Sequence, residues 1–124
     1  MRNVTKKPGD NTGRLYTYGL LTEGAAIAPA AGVIDILAAH VEAANENIIY
    51  CGQTVAATTI NLSSGAKAKL VLGDKVSLII PTDATGRTIT WGTNIKSAAA
   101  TLAIVASGKT KVDGIFDGTD LVIR

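Results

Sequence analysis

Between Thr54 and Arg124 glycine and aspartate cut the sequence into short runs, and this punctuation limits the possible folds more than any other feature. Thr54–Leu62 is rich in Thr and β-branched residues, which suit a pleated sheet. Ser63-Ser64-Gly65 reads as a turn. Lys67, Lys69 and Val71 then alternate with Ala66, Ala68, Leu70 and Leu72, the period of a half-buried strand. After the Gly73-Asp74 turn, Val76, Leu78 and Ile80 alternate with Lys75, Ser77 and Ile79, and Pro81 ends the run by removing a ladder donor. Thr88 and Thr90 alternate with Ile89 and Trp91. Thr101–Ala106, Lys109–Phe116 and Asp120–Arg124 come next, separated by Ser107-Gly108 and Asp117-Gly118. With Ile48–Cys51 this makes roughly seven or eight strands, with turn signals about every eight to twelve residues, the trace of an all-β sandwich or barrel. No helix long enough for a βαβ crossover lies between them, so the expectation is an antiparallel, jelly-roll-like β-sandwich.

The first third of the chain reads differently. Residues 1–32 carry Pro8, Gly9, Gly13, Gly19, Gly24, Pro29 and Gly32, which oppose a helix or a long strand. A terminus of this kind frays in water by default. Yet Leu15, Tyr16, Tyr18, Leu20 and Leu21 crowd into seven positions, too apolar for a linker that stays solvated. The expectation is an extended attachment arm over 1–32, with Arg2, Lys6, Lys7 and Arg14 beside those apolar anchors, followed by a β-sandwich domain over 33–124. Within 33–45, Ile34, Leu37, Ala38, Val41 and Ala44 fall at helical spacing and point to one short helix. A period-2 reading of Val33–Ala38 separates polar from apolar less well.

Composition excludes several functions. A chain of 124 residues is one domain rather than two. It is 47% hydrophobic but only 4% aromatic, so the core must be built from Ala, Val, Ile and Leu. The net charge of +2 is a mild excess, and the one small basic cluster, at the start of the chain, falls short of a nucleic-acid stripe. Cys51 and His40 are the only residues of their kinds, which excludes an intrachain disulfide and a Cys/His zinc site. No run reaches the roughly 18 apolar residues of a membrane span, and no apolar segment follows the charges at the start. The expectation is a chain made in the cytoplasm, with no cofactor, no nucleic acid and no membrane as partner.

Nor do the residues assemble a reaction. Ser107-Gly108-Lys109-Thr110 resembles the end of a phosphate-binding loop, but Ala103 stands where its first glycine belongs and a strand-like run follows. Asp113, Asp117 and Asp120 lack the spacing of an EF-hand and read as Asp-Gly turn chemistry. One histidine supports no convincing Ser-His-Asp order. The three glutamates, Glu23, Glu42 and Glu46, all precede the strand-rich region, so paired-carboxylate catalysis is poorly supported. No enzyme is expected.

Several strands are apolar on both faces: Ile79 beside Leu78 and Ile80, Val105 beside Ile104, Val122 beside Leu121 and Ile123. A sandwich buries one face of each sheet, so Ile79, Val105 and Val122 are the expected subunit interface of a homo-oligomer.

The same region also carries a resemblance. Gly73-Asp74-Lys75-Val76-Ser77-Leu78-Ile79-Ile80 precedes Asp83-Ala84-Thr85-Gly86-Arg87-Thr88-Ile89-Thr90-Trp91-Gly92. Then come Asn94-Ile95-Lys96, Gly108-Lys109-Thr110-Lys111-Val112-Asp113 and Phe116-Asp117-Gly118-Thr119-Asp120. The pattern resembles the β-sandwich modules of tailed-phage virion proteins, found in capsid decoration proteins, head fibres and tail fibres. It covers about Thr54–Arg124 and departs at Asp120-Leu121, where such modules often carry an aromatic. The resemblance implies a capsid decoration or cement protein, most naturally a trimer, held on the major capsid protein or another virion protein through the arm. The alternative it implies is a host-recognition fibre module that binds surface glycan on aromatic platforms, for which Trp91, Tyr16, Tyr18 and Tyr50 are a thin supply. Trp91 is expected in the core.

Overall fold

The structure, a computed structural model, describes residues 26–124 together with two short strands, Val4–Thr5 (β1) and Tyr16–Thr17 (β2), which pair antiparallel. Nine further strands complete the described chain: β3 Val33–Ile36, β4 Glu46–Tyr50, β5 Thr58–Leu62, β6 Lys75–Pro81, β7 Arg87–Trp91, β8 Ile95–Lys96, β9 Thr101–Ile104, β10 Lys109–Phe116 and β11 Leu121–Ile123. The chain is nearly all β. Two sheets share one core: a four-stranded sheet in the order β3-β5-β7-β9 and a five-stranded sheet in the order β4-β6-β10-β11-β8.

The pairing is not wholly antiparallel, which corrects the jelly-roll expectation. The pairs β3–β5, β5–β7, β4–β6 and β8–β11 are parallel. Parallel neighbours normally need a helical crossover to return the chain to its starting end. Here a strand in the opposite sheet makes the return. From β3 to β10 every successive strand lies in the other sheet, so the chain winds like a coil. Only β7–β9, β6–β10 and β10–β11 pair antiparallel within these sheets.

The expected helix over 33–45 is absent. Ile34 and Ile36 are fully buried with Asp35 exposed between them, so the period is 2, and β3 gains a backbone ladder from β5. After β3 the chain makes a single 3-10 turn, Ala38–His40. Beyond it, buried Asn47 fixes the loop by accepting the Glu42 N–H at 2.9 Å and donating to the Glu42 carbonyl at 3.1 Å.

The expected strand over 66–72 is instead one helical turn, Ser64–Lys67 (α1). The Ser63 hydroxyl accepts the Ala66 N–H at 3.1 Å, a serine N-cap. Ala66 and Leu70 are the buried pair, one helical turn apart. Lys69 Nζ then donates to the Ala38 and Val41 carbonyls at 2.7 and 3.0 Å and pins the two helical turns together.

The core is aliphatic, as the composition requires. Ile34, Ile36, Ile60, Leu62 and Ile89 come from the four-stranded sheet, and Val76, Leu78, Ile80, Val112 and Leu121 from the five-stranded one. Phe116 is the one buried aromatic among the described core residues, with Trp91, Leu102 and Ile123 half-buried at its margin. Residues 26–32 join this body rather than stand away from it. Ile27 pairs in parallel with Cys51 and bonds both its neighbours: its N–H donates to the Tyr50 carbonyl and its carbonyl accepts from Gly52.

Candidate functional site

In a strand, alternate side chains point to opposite faces. Val76, Leu78 and Ile80 are fully buried, so Lys75, Ser77 and Ile79 of β6 face away from the core. The register carries this outward set across the sheet. Glu46, Ile48 and Tyr50 lie opposite Lys75, Ser77 and Ile79 on β4. Ile115, Asp113 and Lys111 lie opposite the same three on β10, and Val122 of β11 is opposite Ile115.

The result is one continuous outer face with two kinds of side chain. Ile48, Tyr50 and Ile79 form one half-buried apolar patch on β4 and β6, Ile115 and Val122 form a second on β10 and β11, and the Ser77–Asp113 pair lies between them. Between and around the two patches stand Lys75, Lys96, Lys109, Lys111 and Arg124 against Glu46 and Asp113, a local basic surplus on a chain of net charge +2. A groove of about 370 Å³ lies on this face, lined by Glu46, Lys75, Ser77, Lys111, Asp113, Ile115 and Arg124. In it Ser77 donates to Asp113 at 2.8 Å, and Lys111 Nζ stands 3.6 Å from the same carboxylate. The Ser77 hydroxyl, aided by Lys111, holds the Asp113 carboxyl below its usual range.

Of the expected interface residues, the structure brings Ile79 and Val122 onto this face with only β10 between them. Val105 stands elsewhere. It lies past the end of β9, 62% exposed, in the loop before β10. Ile48 and Tyr50 beside Ile79, and Ile115 beside Val122, belong to this face but were not expected there. Ile115 carries the signal, since it shares parity with Lys109, Lys111 and Asp113. Ile48 and Tyr50 are hidden in an unbroken apolar run. The expected anchors Arg2, Lys6, Lys7, Arg14, Leu15, Tyr18, Leu20 and Leu21 lie outside the described residues, and Tyr16 is described only as backbone in β2.

The remaining chemically able residues have structural work. His40 Nδ1 accepts the Leu37 N–H at 2.9 Å. Burial pushes the Cys51 thiol up to about 12, which keeps it protonated and unreactive. Asp117 accepts the N–H groups of Asp120 and Thr119 at 2.7 and 2.8 Å, which hold its carboxyl below the usual range and close the turn. Ser107 takes a positive φ of 52° and leads straight into β10, so no helix is there to cradle a phosphate. Among the described residues no three His, Cys, Asp or Glu side chains gather as metal ligands, and no helix is long and apolar enough to cross a membrane.

No family model, no curated protein and no solved structure matches the chain.

Proposed function

We propose that this chain is a structural component of a tailed-phage virion, a decoration or cement protein that associates with its own copies, as a trimer, and binds the capsid shell. The reading joins the sequence resemblance over Thr54–Arg124 to one observation. The five-stranded sheet turns two apolar patches, Ile48–Tyr50–Ile79 and Ile115–Val122, away from the core. Apolar patches interleaved with charge match a non-obligate interface, which is about as apolar as the rest of a protein surface. Repeating a weak shell contact on one oligomer multiplies its strength without new chemistry. Among the described residues Tyr50 is the aromatic on the outward face, while Trp91 packs against the core margin, which favours assembly over glycan recognition.

Sedimentation velocity at micromolar concentration tests the reading, together with co-sedimentation on capsid shells assembled without this chain. An oligomer that dissociates on Ile79→Asp or Val122→Asp, and that binds shells, is expected. A monomer that leaves shells bare overturns it.

A further inference from the structure

Strand β10 is longer than its neighbour on one side. Its eight residues pair along β6 from Lys109 to Ile115, but β11 covers only Gly114–Phe116. The backbone directions are fixed by flanking bonds. Phe116 donates to the Asp74 carbonyl and Gly108 accepts from Thr82, so even-numbered residues of β10 turn their polar groups toward β6. The Asp113 carbonyl accepts the Arg124 N–H at 3.0 Å, so odd-numbered residues turn theirs toward β11. Among the described residues the backbone N–H and C=O groups of Lys109 and Lys111 therefore face a gap with no strand in it.

The gap opens on a groove of about 260 Å³ between β9 and β10. Its apolar wall is Trp91, Leu102 and Ile123, the half-buried residues at the margin of the core. On the outer side of the same gap stand Lys109, Lys111 and Arg124. The nearby acid Asp113 is already engaged by Ser77 and Lys111.

We propose that this gap is a β-augmentation site: an extended segment of a partner protein adds beside Lys109–Lys111 as a further strand, in line with β11. Main-chain bonds to an open edge supply affinity and alternate side chains supply specificity. Alternation fixes the chemistry of the occupant. Every second side chain enters the Trp91–Leu102–Ile123 groove and is apolar. The intervening ones meet Lys109, Lys111 and Arg124 and are acidic. The arm of a second copy has the wrong charge, since Arg2, Lys6, Lys7 and Arg14 outnumber Asp10 and Glu23 within the first 25 residues. The site shares Lys109, Lys111 and Arg124 with the outward face of the five-stranded sheet, but its open backbone edge and the Trp91–Leu102–Ile123 groove do not depend on the virion reading.

A capped synthetic peptide alternating valine and glutamate is the probe, and Trp91, the one tryptophan, reports on the groove. Binding is expected to shift its emission to shorter wavelength and to weaken by about tenfold when salt is raised to screen the lysines. A peptide with lysine in place of glutamate is expected not to bind. In one strand all valine N–H groups face one side and all glutamate N–H groups the other. Of two peptides N-methylated at the valines or at the glutamates, one is therefore expected to bind and the other to fail. Lys111→Pro removes the open N–H without touching the β6 ladder, and is expected to abolish binding with the circular dichroism unchanged. No binding by the unmethylated peptide up to millimolar concentration overturns the proposal. Equal behaviour of the two methylated peptides does so as well. A Trp91 shift produced by raising the concentration of the protein alone also overturns it, in favour of a second copy.

Discussion

Ser77 and Asp113, 36 residues apart, are direct partners across β6 and β10, and the serine hydroxyl donates to the carboxylate at 2.8 Å. The bond favours the ionised form of Asp113, so its pKa is lowered in the folded chain. A lowered folded pKa adds stability above the ordinary carboxylate value, and this is lost as pH falls through the folded one. Ser77→Ala is expected to move the Asp113 titration, followed by carboxyl NMR, up toward the ordinary value. It is also expected to flatten the acid limb of the stability curve. An unmoved titration shows that the hydroxyl is not the cause.

Leu78 sits in mid-β6, fully buried, with β4 on one side and β10 on the other. Leu78→Ala is expected to cost about 2–5 kcal/mol, the range for a buried leucine whose cavity cannot collapse. Urea unfolding measures it. Ile79→Ala, one residue along on the outer face, is expected to cost the isolated chain clearly less.

Cys51 lies in the core beside Ile27 and Ile79. Burial raises its pKa to about 12, so the folded state keeps the thiol protonated where an unfolded chain begins to ionise. That contribution is complete below the ordinary pKa of 9.0 and is lost as pH rises toward 12. Native protein is expected to react with a thiol reagent only at the rate at which it opens. Full labelling within the mixing time contradicts this placement.

Thr82 ties the loop after β6 to the loop between β9 and β10 at one end of the molecule. It is buried, bonds the Val105 carbonyl through its hydroxyl, and accepts the Gly108 N–H at 3.3 Å. Thr82→Val keeps the shape and leaves those groups unpaired, at an expected cost of about 1–3 kcal/mol. Amide exchange is expected to quicken at Gly108 and Ser107 more than in the centre of β6.

The strands were legible wherever apolar residues alternate between clear turns, as in Lys75–Pro81 and Lys109–Phe116. Over 33–45 and 66–72 the pattern misled for opposite reasons. Ile34, Leu37 and Val41 fall at helical spacing by chance, because a strand, a 3-10 turn and a loop succeed one another there. Ala66, Ala68 and Leu70 alternate, yet Ala66 and Leu70 also satisfy a helix, and the Ser63 cap decides between the two. Strand direction is not written in alternation at all. The absence of crossover helices suggests antiparallel neighbours only if every return stays within one sheet, and here the returns run through the other. The outward face was half legible. Ile79 and Val122 announce themselves by standing among inward residues, whereas Ile48 and Tyr50 need the register with β6 to be placed.

Because consecutive strands fall in alternate sheets, neither sheet can assemble from one contiguous stretch of chain. Apart from the β10–β11 hairpin, each neighbour must wait for an excursion through the opposite layer, so loop-closure entropy is spent before most ladders repay it, and folding is expected to be slow for a chain of this length. The same lacing leaves no half of the molecule able to survive alone. Proteolysis or truncation inside 33–124 should abolish the whole structure in one cooperative step rather than leave a stable fragment.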